Sequence, residues 1–242
     1  TDRGTTWTRI SPDLTTNDTS KMHQDKSGGL TLDATNAENH CTIIAVAPSP
    51  VQRGVVWAGT DDGQVQITRD GGKTWSNCAA ALPKGPKNAW VPQIETSVHS
   101  AGEAFVVINN YRQNDWQPYL YHTKDFGVTW RRLAQNVEGF CLSVVQDPEV
   151  PSLLFLGTDQ GLWVSTDYGE NWTHWPNAAG PDGKYLAGAF PSVPVYDMKI
   201  HPRDGDLVIA TFGRAIWILD NLSPLREIAR QGTRLLSQPF KL

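Results

Sequence analysis

The sequence lacks several features that would point to a particular class of function. No apolar run reaches 18 residues, so nothing reads as a membrane-spanning helix. No Lys/Arg cluster stands out, and the formal net charge is -4, so nucleic-acid binding is not expected. There are three cysteines, Cys41, Cys78 and Cys141, with no C-x-x-C spacing, which argues against a zinc site or a dense disulfide framework. Buried small hydrophobes are the favoured reading, with one disulfide and a free thiol as the alternative. The six histidines, His23 and His40 among them, are scattered and no EF-hand spacing occurs, so neither metal nor cofactor is expected. No signal peptide is visible. The chain opens on Thr1-Asp2-Arg3, inside a repeat unit, and is read as a processed, truncated or recombinant piece.

Tryptophan, by contrast, is abundant: ten residues against two methionines, with 21 glycines and 16 prolines. That balance suits many short strands joined by tight turns, with large flat side chains filling the gaps. An eight-residue pattern recurs as TRDGGKTW (68–75), TKDFGVTW (123–130) and STDYGENW (165–172), and TDRGTTW opens the chain. Its aspartates stand at positions 2, 70, 125 and 167, a drifting period that marks a repeat array with loops of variable length. Each copy sits late in a unit of four strand-like stretches bounded by turn residues. The units are 41–80, 91–135 and 140–175. A final unit, 194–222, offers three strands, residues 1–10 offer one outer strand, and 223–242 form a C-terminal extension. LSPLREIARQ (222–231) is the one good helix candidate. The fold expected is an all-β propeller of four-stranded antiparallel blades. The strands add up to four blades, closed by residues 1–10, but an arc of a larger ring completed by another segment or subunit is preferred.

Each residue of the motif has a structural task. Asp70 can accept from the N–H groups that follow it, Gly72 supplies a positive φ, the Thr68 and Thr74 hydroxyls can bond across the turn, and Trp75 can plug the gap beside the hairpin. Thr123, Asp125, Gly127, Thr129 and Trp130 repeat the set, as do Ser165, Asp167, Gly169 and Trp172, with Asn171 in place of the second Thr; Asp2, Gly4 and Trp7 are its remnant. A turn tolerates that replacement more easily than a nucleophile would. The motif resembles the Asp-box, or BNR repeat, found in sialidases, xyloglucan-active glycoside hydrolases and sortilin-type receptors. WAGTDDGQVQITRDGGKTW, PYLYHTKDFGVTW and ATFGRAIWILDNLSPLRE are similar to the C-terminal propeller stretch of secreted bacterial sortilin-like or glycosyl-hydrolase-like proteins. The resemblance implies a secreted or periplasmic location.

Candidate sites are expected on the face opposite the motifs, where the turns between second and third strands and the blade-linking loops emerge. Asp61, Asp62, Asp115 and Asp159 could supply an acid/base pair for a glycosidic bond, or could be turn residues. Tyr111, Arg112 and Trp116, in a long stretch at 109–118, have the aromatic and Arg character of peptide or sugar binders, and Arg214 falls in a comparable turn. Packing of 109–118 on a neighbouring blade is the alternative. The arginine cluster of a sialidase is missing. The functional expectation is a binding or assembly module for a peptide, glycan or partner subunit; the alternative is a glycoside hydrolase whose cleft another segment completes.

Overall fold

The computed structural model describes residues 3–22, 40–176 and 188–232. Asp2, most of the 11–40 and 176–194 inserts and the end of the C-terminal extension lie outside the described residues. The chain forms four antiparallel sheets in sequence order. The first comprises β1 (Ile43–Pro48), β2 (Val56–Thr60), β3 (Val65–Thr68) and β4 (Ser76–Asn77). The second comprises β5 (Trp90–Thr96), β6 (Ala104–Asn110), β7 (Asp115–Thr123) and β8 (Arg131–Leu133). The third comprises β9 (Cys141–Gln146), β10 (Leu154–Thr158), β11 (Gly161–Ser165) and β12 (Thr173–His174). The fourth has β13 (Val195–Ile200), β14 (Leu207–Thr211) and β15 (Ile216–Leu219), then a helix α1 (Ser223–Arg230).

Within each blade the strands meander, each pairing with the next. The first strands pack in succession, β1 on β5, β5 on β9 and β9 on β13. This is the radial order of a propeller, with the first strands innermost. Three apolar clusters fill the three seams. Trp57, Val65, Ile67, Val91, Val106 and Tyr121 join the first and second blades. Phe105, Leu120, Leu133, Leu154, Leu156 and Trp172 join the second and third. Phe155, Leu162, Met198, Leu207 and Ile209 join the third and fourth, with Leu222, Leu225 and Ala229 of the helix. In the two middle blades β6, β9, β10 and β11 are buried throughout. In the last blade β15 alternates, reading exposed, half-buried, exposed, half-buried.

Two expectations are corrected. Residues 1–10 do not form an outer strand among the described residues; Trp7 is 89 % exposed and Ile10 52 %. The blade ending in β15 therefore keeps three strands. The stretch 109–118 is not a long loop either. β6 runs to Asn110 and β7 begins at Asp115, so the connection is a single 3-10 turn, Tyr111–Gln113, closed by Asn114 at φ 58°. The extra residues lengthen the strands, and β7 runs to nine residues. All three cysteines are free. Burial pushes the Cys78 thiol up to about 11 and Cys141 up to about 12, as inert core thiols should be.

Candidate functional site

The repeated hairpins are built alike. In the first, Asp70 Oδ1 accepts from Thr68 Oγ1 (2.9 Å) and Thr74 N (2.9 Å), Oδ2 accepts from Thr74 Oγ1 (2.7 Å), and Gly72 N donates to Thr68 Oγ1 (2.8 Å). Asp125 and Asp167 make the same set, Asn171 Nδ2 taking the place of the second hydroxyl at 2.7 Å. The Thr74 hydroxyl and N–H hold the Asp70 carboxyl down to about 2, although it is solvent-exposed. Each carboxylate oxygen accepts at least one hydrogen bond from within the turn. The glycines of the second and third hairpins lie against the preceding blade: a Cβ on Gly127 would meet Cys78 Sγ at 2.6 Å, and one on Gly169 would meet Leu133 Cδ1 at 2.7 Å.

The opposite face carries the turns after β2, β6, β10 and β14. Asp61 Oδ1 accepts from Thr42 N (2.8 Å) and Asp159 Oδ1 from Phe140 N (2.9 Å), so both pin the chain as it enters an innermost strand. Burial raises the Asp61 carboxyl. Asp62 accepts from Thr16 N and Thr16 Oγ1, both at 2.7 Å, and from Thr60 Oγ1. Burial would raise it, but these donors outweigh burial and lower it. Asp115 accepts from Asn110 Nδ2 (3.1 Å), Tyr119 OH (2.8 Å) and Gln117 N (3.2 Å), and is lowered by the same balance. All four candidate carboxylates have such partners within the chain.

Tyr111, Arg112 and Trp116 come together at the tip of the β6–β7 hairpin. The Tyr111 ring stacks on Phe140 (4.7 Å), Trp116 leans on Phe140 (5.6 Å) and on Tyr111 (6.1 Å), and the Arg112 guanidinium lies 3.4 Å from the Trp90 ring centre and 4.5 Å from that of Tyr111. Trp116 remains 53 % exposed. Its Nε1 reaches Asn114 Oδ1 at 3.2 Å, which orients the ring. Toward the axis, Tyr111, Arg112 and Trp90 border a cavity of roughly 510 Å³ among the innermost strands, with Glu95, Tyr196 and Lys199. Away from the axis, Trp116 borders an open groove of roughly 1130 Å³ with Trp130, Arg131 and Arg132. Asn109 lines the axial cavity, is 4 % exposed, and its Oδ1 has no hydrogen-bond partner. A buried acceptor left unpaired costs free energy unless a donor arrives. Burial pushes the Glu95 carboxyl up to about 7, against the opposing pull of Lys199.

Arg214 is exposed in the β14–β15 turn, where its carbonyl accepts from Trp217 Nε1 (2.9 Å), and it lines neither cavity. Sequence reasoning missed Trp90, Phe140, Asn109, Glu95, Tyr196 and Lys199. Aligning the units would have placed Phe140 just ahead of an inner strand, but nothing local says that it meets a hairpin of the previous blade. Among the described residues no cluster of metal-ligating side chains occurs, and no helix is long and apolar enough to cross a membrane.

No family model and no curated protein matches this chain. Solved structures do. The GH74 xyloglucanase from Xanthomonas campestris aligns over 74 % of this chain and 29 % of its own, at 16 % identity and a TM-score of 0.57. An ancestral GH74 enzyme aligns over 71 % of this chain and 22 % of its own, at 19 % identity and a TM-score of 0.50. The extracellular domain of a hybrid two-component system from B. thetaiotaomicron aligns over 74 % of this chain and 21 % of its own, at 13 % identity and a TM-score of 0.52. The chain thus spans under a third of the length of each. At these identities the likeness is one of fold, and the fold is an all-β propeller arc.

Proposed function

We propose that this chain is part of an extracytoplasmic Asp-box propeller of the sortilin-like kind and acts as a binding or assembly module, with another segment or subunit completing the ring. The observation that carries the reading is the platform at the tip of the β6–β7 hairpin. Tyr111, Trp116 and Phe140 form a rigid aromatic surface with Arg112 beside it, and the buried Asn109 Oδ1 awaits a donor in the adjoining cavity. Rigid aromatic and Arg anchors next to a cavity suit a peptide, a glycan or a partner's loop. Arg214 is at most a peripheral contact. Glycoside hydrolysis is the second reading, favoured by the shape shared with GH74 enzymes. It ranks lower because Asp61, Asp62, Asp115 and Asp159 are each engaged by donors within the chain.

The test titrates the chain with xyloglucan oligosaccharides and with an array of extended peptides, and follows reducing-sugar release. The expected result is binding without sugar release, weakened at least tenfold by Trp116→Ala or Arg112→Ala at an unchanged melting temperature. Sugar release abolished by Asp62→Asn in a folded protein would establish the hydrolase reading instead.

A further inference from the structure

The second blade carries an overhang that the first and third do not need. β8 pairs with Leu120, Tyr121 and His122 of β7, so residues 115–119 run on beyond it. In the third blade β11 overruns β12 by Gly161 and Leu162 only. Ala134, at φ 60°, ends the ladder, and Val137 N donates back to Ala134 O at 3.1 Å, closing a turn. The groove of about 1130 Å³ opens along this overhang, lined by Trp116, Gln117 and Pro118 of β7 and by Arg132, Gln135 and Val137. The overhang offers no ladder to an added strand. Pro118 has no N–H, Arg132 Nη2 covers its carbonyl at 2.9 Å, and Gln117 N is turned to Asp115 Oδ1 at 3.2 Å. A proline on an open edge blocks pairing. A ligand here must be read through side chains.

Those side chains are a flat ring and two cations. Trp116 is 53 % exposed and is oriented by Asn114. The Arg132 guanidinium lies 4.6 Å from the Tyr119 ring centre and is in no direct ion pair among the described residues. Its bond to the Pro118 carbonyl anchors it two residues, about 7 Å of strand, from Trp116. Lys84, from the segment linking the first blade to the second, is exposed, held at φ 52°, and likewise in no ion pair among the described residues. Arg131, by contrast, is engaged by Glu170. Asp115 is the one carboxylate among the groove's described residues. It feels the Arg132 charge, but its oxygens already accept from Asn110 Nδ2, Tyr119 OH and Gln117 N. Two cations therefore face the groove against one carboxylate that is already committed.

We propose that this groove binds an acidic glycan, a run of uronic acid residues, with a pyranose ring lying on Trp116 and ring carboxylates paired with Arg132 and Lys84. The apolar face of the sugar covers the exposed indole. A guanidinium already fixed by one hydrogen bond and a ring contact presents its remaining N–H groups to a carboxylate as a preformed fork. A neutral glycan would leave both cations without a partner, and an acidic peptide would find the backbone edge closed. The proposal rests on the reading of the Trp116 platform as a binding site and narrows its ligand to a carboxylate-bearing glycan.

The test titrates the full chain with tetragalacturonate, with neutral cellotetraose and with a peptide of four glutamates, followed by calorimetry. Tetragalacturonate should bind about tenfold or more tighter than either of the others, and its affinity should fall as salt is added. Trp116→Ala and Arg132→Gln should each weaken it about tenfold. Should Arg132→Gln fail to fold, Lys84→Gln, at an exposed position, carries the same test with a smaller loss. Lys73→Gln, exposed on the hairpin face, removes the same charge and should change nothing. Equal affinity for cellotetraose or for the glutamate peptide overturns the proposal, as does an equal effect of Lys84→Gln and Lys73→Gln. Absence of tetragalacturonate binding overturns it too. The platform reading is then judged separately: it survives if a peptide or neutral glycan still binds in a manner that Trp116→Ala abolishes, and it falls with the proposal if none does.

Discussion

At the scale of the residue, Glu95 is where electrostatics and position conflict most. It sits on an innermost strand with the Gln146 backbone on one side and Asp197 and Lys199 of β13 on another, and burial holds its carboxyl near 7. A raised folded-state value means that the native state binds the proton more tightly than the unfolded chain, whose reference is 4.5. Below that reference both states are protonated and nothing is lost. As pH rises from 4.5 through 7 the native carboxylate must charge in a poor environment, and stability falls. Glu95→Gln should therefore melt like the parent at pH 4 and be more stable at pH 8, by up to about 3 kcal/mol. Urea melts at the two pH values check this; an equal gain at both would remove ionisation as the cause.

At the scale of the element, the repeated hairpin is the unit that joins blades. One carboxylate accepts from a hydroxyl before it and from an N–H and a side-chain donor after it, and the glycine lets the turn press on what lies before it. Asp125→Ala removes the acceptor for Thr123 Oγ1, Thr129 N and Thr129 Oγ1 together. The expected cost is about 2–3 kcal/mol, held down because the turn is partly open to water. Thermal denaturation measures it, and binding at the Trp116 platform on the opposite face should be unaffected. Loss of binding at an unchanged melting temperature would mean that the hairpin meets the ligand.

At the scale of the molecule, α1 ties the last two blades together from the hairpin face. Its apolar side is part of the seam cluster with Val150, Leu153 and Leu207. Arg226 donates to Asp147 Oδ2 at 2.9 Å and to Glu149 Oε1 at 2.6 Å, and Asp147 is fully buried. Removing one partner of a buried pair strands the other charge, so Arg226→Ala should cost about 3–5 kcal/mol. The loss should concentrate in the third and fourth blades, with amides of β13–β15 exchanging first and those of β5–β7 unchanged. Uniform loss across all blades would show that the helix is not a local tie.

The sequence by itself determined the joints and most of the strands. Turn chemistry is local: Asp, Gly and Trp at set offsets make the same hydrogen bonds wherever they occur, so the repeat, the blades and the helix at 223–230 were legible without coordinates. It misled at 109–118, where polar residues read as a loop but continue both strands, because pairing partners and not polarity decide how far a ladder runs. At 1–10 it read a strand where the described residues carry no ladder pairing. The platform needed the tertiary structure. Trp90 reaches Arg112 through the pairing of β5 with β6, where it faces Asn109, and only the stacking of the third blade on the second brings Phe140 to Tyr111 and Trp116.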